Sequence, residues 1–272
     1  LLGSQLYRLR MTRGITRETA GAAIRASQAK ISRLEQGRVR FQERDVVDLL
    51  ILYGITDHQE RDAVLTLARR ADLSGWWHRY SDIVPEWFEL YVGLEQASSV
   101  IRSYEPHLVP DLLQTEECAR ALIPLGHPTE STEEIDRRVG LRMKRQEVLT
   151  RSGAPNLWAV VDEAALWRLK PRSLRRAQIR HLMEMAELPN ITLQVVSMYS
   201  SDHVAVSVPF TILRFSEPDL PDIVYLEQVT SALYLDKSQD VHHYMMAMDL
   251  LVLEAKSPSR TVKFLAILLE EG

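Results

Sequence analysis

Gln28, Lys30 and Arg33 place three strong hydrogen-bonding groups within six residues of the chain. The amide of Gln28 matches the edge of adenine, and the guanidinium of Arg33 matches O6 and N7 of guanine. Lys30 can serve a base or a phosphate, and Ala29 can contact a thymine methyl group. With Ser32, which is predicted to share their outward face, these residues form a set suited to recognising base pairs of double-stranded DNA.

A helix must present that set, and the same segment predicts one from Gln28 to Gln36. Ser27 is a good N-cap, Ile31 and Leu34 recur at the spacing of a buried face, and Gly37 is a typical residue beyond a helix end. The major groove is about 12 Å wide and admits one α-helix. This third helix is therefore predicted to be the recognition helix.

The flanking sequence predicts four more helices in residues 1–72. They are a first helix with Leu2, Leu6 and Leu9, a second capped by Thr16, a fourth that includes Val46 to Tyr53, and a fifth from about His58 to Arg70. The N-terminal domain is thus predicted to be an all-α bundle of five helices.

Charge separates this end of the chain from the rest. Residues 1–42 hold nine basic and two acidic side chains, a net charge of +7. Because the whole chain has a net charge of −4, the remaining residues carry a net charge of −11. A compact basic segment is typical of a surface that meets a polyanion such as DNA, although a solvated basic surface is the alternative. The predicted phosphate contacts are Arg13, Thr16, Arg17, Ser27, Arg38 and Arg40.

The segment TRETAGAAIRASQAKISRLEQG, residues 16–37, resembles the helix-turn-helix of the XRE (Cro/repressor-like) family. The family pattern S-x-x-x-I-S-R-L-E-x-G falls on residues 27–37, and Arg10 stands where family members supply an ion-pair partner for Glu35. Arg25 replaces the usual turn glycine, which implies either a different turn or a strain of about 1 to 2 kcal/mol. The resemblance implies sequence-specific DNA binding.

Residues 76–272 are predicted to form a second domain of the α+β class with a small, mostly antiparallel sheet. Apolar β-branched stretches alternate there with helical ones, and Pro-Asn and Pro-Asp turns separate the strands. The basic run Arg142, Lys144 and Arg145 is interpreted as a solvated helix face. An aromatic cluster opens the domain and is either a ligand or partner pocket, or the domain's own core and its seam with the bundle: Trp76, Trp77, Trp87, Phe88 and Tyr91.

This second domain also resembles a known family, a domain of unknown function that follows an XRE helix-turn-helix in actinobacterial WhiJ-like and antitoxin-like regulators. The similar stretches are GWWHRY (75–80), WFELYVGLE (87–95), IRSYEPHLVPDLLQ (101–114), VDEAAL (161–166), PNITLQVV (189–196) and VYLE (224–227). Asp111 takes the place of a family glycine. The resemblance implies a transcriptional regulator, commonly paired with a small partner protein encoded nearby, and no catalytic residues.

Catalytic and metal-binding candidates are few: Asp162 with Glu163, Asp202 with His203, and His242 with His243. Neighbouring side chains diverge on a strand or a helix, so each pair is poorly arranged for acid–base or metal chemistry. The single cysteine, Cys118, excludes a multi-thiolate site and fits a reducing compartment. We therefore expect no enzyme activity, no cofactor, no metal and no membrane span.

These observations predict a cytoplasmic DNA-binding regulator, nucleoid-associated when bound, whose C-terminal domain receives a ligand or protein-partner signal. A homodimer is expected, because one bundle contacts too few bases to find an operator among about 10⁶ competing sites. The alternative is an antitoxin-like protein that neutralises a small partner protein and binds DNA for autoregulation.

Overall fold

The computed structural model describes residues 2–35, 41–55, 57, 61–62, 64–65, 76–199, 208–217 and 220–271. The chain divides into two compact units, Leu1–Arg79 and Tyr80–Gly272. Each unit has its own hydrophobic core.

The described residues of the first unit form four assigned helices: α1 (Leu2–Thr12), α2 (Arg17–Ala23), α3 (Gln28–Glu35) and α4 (Glu43–Leu52). Gly14 and Gly54 follow α1 and α4 with φ of +64° and +70°, as expected for glycines beyond helix ends. The predicted fifth helix lies mostly outside the described residues, of which 61–62 and 64–65 are helical. The described structure thus shows a helical region and not the predicted count of five.

The core of the first unit is formed by the apolar faces of its helices. Leu6 of α1, Ile31 and Leu34 of α3, and Leu49 and Leu50 of α4 are all buried in it. Burial of each such side chain stabilises the fold by about 1.5 to 3 kcal/mol. Because α3 turns Ile31 and Leu34 inward, Gln28 and Arg33 face outward, whereas Glu35 is buried.

The second unit is built on a six-stranded sheet in the spatial order β3-β2-β1-β4-β5-β6. The strands are β1 (Val100–Glu105), β2 (Asn156–Asp162), β3 (Ile191–Val196), β4 (Phe210–Arg214), β5 (Ile223–Glu227) and β6 (Ala232–Leu235). β1, β2 and β3 run parallel, whereas β1 with β4, β4 with β5, and β5 with β6 pair antiparallel.

The prediction of a small, mostly antiparallel sheet is therefore wrong, because the sheet is mixed and has six strands. Helices connect β1 to β2 and β2 to β3. Because a helical crossover brings the chain back to the same edge of the sheet, each following strand runs parallel to the one before it. Val160 and Val161 on β2, and Val195 and Val196 on β3, are buried on both faces, which is typical of parallel strands.

Seven helices accompany this sheet in the described residues. They are α5 (Glu86–Ala97), α6 (Glu116–Gly126), α7 (Thr132–Gln146), α8 (Glu163–Trp167), α9 (Arg172–Met185), α10 (Ser238–Glu254) and α11 (Pro258–Glu271), with 3-10 turns at Trp76–Tyr80, Asp111–Leu113 and Glu147–Leu149. Helix α10 packs Met248 and Leu251 against one face of the sheet. On the opposite face, Tyr91 of α5 stacks on Tyr225 of β5 with ring centroids 4.0 Å apart. None of the described helices combines the length and the hydropathy that crossing a membrane requires.

Candidate nucleic-acid interface

Two side-chain caps fix where the helices of the predicted helix-turn-helix begin. Thr19 N–H donates to Thr16 Oγ1 at 3.2 Å at the start of α2. Lys30 N–H donates to Ser27 Oγ at 3.2 Å at the start of α3. Each cap satisfies an N–H group that has no partner within its helix. The N-terminal end of α3 is therefore held in one position.

The turn between α2 and α3 combines a close backbone approach with a left-handed residue. Ala26 N–H donates to Gly21 O at 2.8 Å, and a Cβ atom on Gly21 would lie 2.6 Å from Ala26 O. Arg25 has φ of +54°, so it adopts the conformation of the family glycine and bears the strain of about 1 to 2 kcal/mol. The usual turn is thus retained with a non-glycine residue.

A buried carboxylate joins three elements of the first unit. Glu35 of α3 accepts from Arg10 Nη2 at 3.1 Å and also from Arg10 Nε. Arg10 Nη1 donates to Ile15 O at 2.8 Å, and Arg17 Nε donates to Glu35 Oε2 at 3.0 Å. Hydrogen bonding to Glu35 raises the pKa of Arg10. The ion pair of Arg10 and Glu35 therefore links α1 to α3, and Arg17 of α2 joins it.

Six of the residues predicted to contact DNA share one open surface of the first unit. They line a single depression of about 590 Å³: Arg17, Ser27, Gln28, Ala29, Ser32 and Arg33. We call this set the recognition surface. Gln28, Ala29 and Arg33 are exposed, and Arg33 Nε is 3.4 Å from Ala29 O within the same helix. The amide of Gln28, the hydroxyl of Ser32 and the terminal guanidinium nitrogens of Arg33 thus line one surface along α3.

The remaining predicted contacts fall elsewhere. Lys30 Nζ forms an ion pair with Asp45 Oδ2 of α4 at 2.7 Å, and one third of its side chain is exposed. Thr16 and Arg13 are exposed at the ends of the α1–α2 connection. Arg38 and Arg40 lie outside the described residues, as does Gly37. Lys30 must therefore break an intramolecular pair before it can reach a base.

The second unit contains a buried charge network that the sequence analysis missed. Arg145 donates to both carboxylate oxygens of Glu95, at 3.0 and 2.8 Å, and to Asp111 Oδ2 at 2.9 Å. Arg142 Nη2 lies 3.2 Å from the same Asp111 oxygen, and Arg142 Nη1 donates to Gln114 Oε1 at 2.9 Å. Although burial opposes it, the two arginines lower the pKa of Asp111.

The interpretation of the basic run of α7 as a solvated face is therefore wrong for Arg145, whose side chain is 3% exposed. Its guanidinium also lies over the rings of Phe88 and Tyr91, 5.1 and 5.4 Å from their centroids. Asp111 begins a 3-10 turn and does not have a positive φ, so the family glycine position needs no left-handed backbone here. The signal that was available is the i, i+3 spacing of Arg142 and Arg145 on one face of the helix.

The predicted aromatic cluster divides between the two units. Trp76 and Trp77 contact each other edge to face with ring centroids 5.9 Å apart. In the second unit the ring centroid of Phe88 lies 6.0 Å from that of Trp87 and 5.9 Å from that of Tyr91. These three residues of α5 pack with the sheet through Tyr91, so they contribute to the fold of the second unit.

Two of the three candidate catalytic pairs lie in the described part of the chain. Asp162 Oδ1 accepts from Ala164 N–H at 2.7 Å and caps α8, while Glu163 accepts from Trp167 and Ser197. His242 and His243 are exposed, with ring centroids 6.4 Å apart. Asp202 and His203 lie outside the described residues. Within the described ranges, no group of three or more His, Cys, Asp or Glu side chains is placed to hold a metal ion.

Comparison with known proteins defines both units. Residues 1–64 match the family model described as "Helix-turn-helix domain", which indicates a DNA-binding regulator. Residues 88–266 match the model described as "Domain of unknown function (DUF5753)", and because this match covers more than half of the chain, the chain belongs to that family. Neither a curated protein nor a solved structure matches the sequence. The two resemblances predicted from the sequence, to a helix-turn-helix and to a domain of unknown function that follows it, are confirmed.

Proposed function

We propose that the protein is a sequence-specific transcriptional regulator that inserts the N-terminal end of α3 into the major groove of DNA. The observation that supports this most strongly is the recognition surface, where Gln28 at the capped end of α3 and Arg33 in its last turn are both exposed and line one depression. In helix-turn-helix proteins the N-terminal residues of the second helix contact base edges and the first helix crosses the backbone. The net charge of +7 in residues 1–42 supports attraction to phosphate.

We propose different roles for the individual residues of α3. Gln28 and Arg33 are the main base contacts, and Ala29 and Ser32 lie beside them on the recognition surface. Lys30 is tied to Asp45, so we assign it to the packing of α3 on α4 rather than to base contact.

Phosphate contact is proposed for the residues around the start of α2 and α3. Arg17 lies on the recognition surface and keeps 39% of its side chain exposed while it is bonded to Glu35. Its other guanidinium nitrogens can therefore meet a phosphate without breaking that bond. Thr16, Ser27 and Arg13 complete the proposed set.

Binding-site selection with variants of the recognition surface tests this function. Gln28→Ala and Arg33→Ala should each lose preference at one base position, because a good bidentate contact discriminates by about 1 to 3 kcal/mol. Arg17→Ala should instead weaken all sequences alike and lower the slope of log K against log salt by about one. Arg44, exposed on α4 and outside the recognition surface, supplies the control Arg44→Ala. If both α3 variants kept the wild-type consensus, α3 would not be the recognition helix.

We further propose that the protein binds as a homodimer on half-sites one helical turn apart, about 34 Å. Footprinting should show paired half-sites, and a single half-site protected by monomer would contradict the dimer.

The second unit is proposed to receive a ligand or protein-partner signal. Its match to a family domain separate from the helix-turn-helix supports a distinct role. The antitoxin-like alternative assigns the second unit to a small partner protein encoded nearby. A neighbouring gene product that co-purifies with the chain favours that alternative, whereas a metabolite that shifts melting temperature and DNA affinity together favours the sensor.

A further inference from the structure

Two carboxylates are placed in one row across the sheet of the second unit. Glu105 ends β1 and Glu227 ends β5, with one strand, β4, between them. Tyr104 of β1 pairs with Phe210 of β4, and Thr211 of β4 pairs with Tyr225 of β5. When both antiparallel registers are continued to the residue before β4, Glu105 and Glu227 each lie opposite Pro209. Residues opposite each other share a face. The two carboxylates therefore flank one uncharged proline, with their backbones about 10 Å apart at 4.7–4.9 Å per strand.

These two carboxylates have no cationic partner among the described residues. Arg142 acts electrostatically on both glutamates and Arg145 acts on Glu227, but both guanidinium groups are bonded to Asp111. Arg145 is also bonded to Glu95 and Arg142 to Gln114. Four carboxyl groups thus share two guanidinium groups, and Glu105 and Glu227 are the two that form no ion pair with them.

The electrostatic cost of this arrangement is visible at Glu105. Burial, together with the neighbouring carboxylates of Asp111 and Glu227, raises its pKa to about 8, while Arg142 opposes this rise. A bound positive charge would relieve that cost, because an opposite charge within a few ångströms favours the ionised form.

The row of residues beside the two glutamates forms a polar and aromatic floor. Ser103, two residues before Glu105 on the same face, is 6% exposed, and its hydroxyl has no hydrogen-bond partner in the described parts of the chain. Ser103 pairs with Thr211 of β4, which pairs in turn with Tyr225 of β5. Tyr225 Oη donates to Glu227 Oε2 at 2.8 Å. By strand alternation the Ser103 hydroxyl therefore points to the face that carries both carboxylates, and a buried polar group without a partner is uncommon in folded proteins.

The ring of Tyr225 is packed against two other tyrosine rings. Tyr225 stacks on Tyr91 and lies 5.2 Å from the ring of Tyr234, whose hydroxyl donates to Trp87 O at 2.5 Å. Aromatic faces attract cations electrostatically. Glu227 is exposed and Glu105 is partly exposed, so a ligand can reach the carboxylates from solvent.

We propose that Glu105 and Glu227, above the floor of Ser103 and Tyr225, bind an organic cation that carries an ammonium or guanidinium group. A metal ion is disfavoured because the described residues include no cluster of three ligands with suitable placement. Such a cation would be the ligand in the signal-receiving role proposed for the second unit. Binding of the cation does not depend on that proposed role, whereas an effect of the cation on DNA binding does.

Calorimetric titration of the full chain without DNA tests the site directly. The probes are butylguanidinium, butylammonium and the blocked peptide acetyl-Ala-Arg-Ala-amide, and the neutral butylurea is the matched control. The wild-type chain should bind at least one of the three cations and not butylurea. Glu105→Gln and Glu227→Gln should each weaken binding at least tenfold, whereas Glu187→Gln, at an exposed position on the α9–β3 connection, should leave it unchanged.

The three cations separate the two sources of the ligand. Binding of the alkyl cations alone indicates a free small molecule, and binding of the peptide alone indicates an arginine of a protein partner. Absence of binding by all three cations, equal binding of butylurea, or unchanged binding in both glutamine variants would overturn the proposal. Should Glu105→Gln fail to fold, Glu227→Gln decides, because Glu227 is exposed. Since no DNA is present, failure here leaves the recognition-surface experiment unaffected.

Discussion

Replacement of Gly21 by alanine should open the connection between α2 and α3. The added Cβ would lie 2.6 Å from Ala26 O, 3.3 Å from the carbonyl carbon of Ser27 and 3.4 Å from Gln28 N, all of them backbone atoms. Ordinary contact would require the two segments to separate by roughly 0.8 Å, the difference between that closest approach and 3.4 Å. Such a shift would also strain the hydrogen bond from Ala26 N–H to Gly21 O, which is 2.8 Å long.

The magnitude follows from opposing effects. Overpacking of this kind costs about 1 to 3 kcal/mol or more, and a strained hydrogen bond costs up to about 1 kcal/mol. Alanine recovers about 1 kcal/mol of helix propensity. We therefore expect Gly21→Ala to destabilise the first unit by about 1 to 3 kcal/mol and to weaken DNA binding, since the capped end of α3 moves.

Hydrogen exchange of the full chain measures this locally. Amides of α2 and α3 should exchange roughly fivefold to 150-fold faster, because about 1.4 kcal/mol corresponds to a factor of ten, while amides of α7 in the second unit serve as an unchanged reference. Gly126→Ala, where the added Cβ has no neighbour within 4 Å, is the matched control and should not accelerate exchange. Unchanged or slower exchange in α2 and α3 of Gly21→Ala would refute the steric argument.

Three further predictions concern single side chains. Glu35→Gln should destabilise the first unit by about 3 to 5 kcal/mol in urea unfolding, because it leaves the buried guanidinium of its α1 partner unpaired; a loss below about 1 kcal/mol would show that the pair is dispensable. Arg25→Gly should raise the stability by roughly 0.5 to 1 kcal/mol, since relief of about 1 to 2 kcal/mol of strain exceeds the entropy cost of glycine, and a lower melting temperature would contradict this. Glu105 has a pKa raised to about 8 in the folded state, against about 4.3 when unfolded, so the folded state holds the extra proton between these values. The stability of the second unit should therefore fall as pH rises from about 4.3 to about 8, and Glu105→Gln should reduce that slope; an identical slope in the variant would place the titration elsewhere.

Local sequence signals were sufficient for the helix-turn-helix. Thr16 and Ser27 were predicted as caps and accept the expected backbone N–H groups. The spacing of Ile31 and Leu34 predicted which face of α3 is buried. Capping and helical periodicity depend on residues within one turn of each other, so these features are written in short stretches of sequence.

The partners of the charged side chains depend on packing between elements. Glu35 engages Arg17 from 18 positions away, and Lys30 meets Asp45 of the next helix. No local pattern states that a basic residue predicted to contact DNA already has an acidic partner, because the distance between two helices is set by the core between them.

The sequence by itself determined where α3 begins, at the predicted Gln28, and the basic character of the N-terminal segment. Only the tertiary structure decided the mixed order of the sheet and the juxtaposition of Glu105 with Glu227, which are 122 residues apart in the chain. Strand order and register are settled by crossover connections and by burial of both faces of the sheet. These are non-local terms, so apolar runs can mark where strands lie without stating which strands become neighbours.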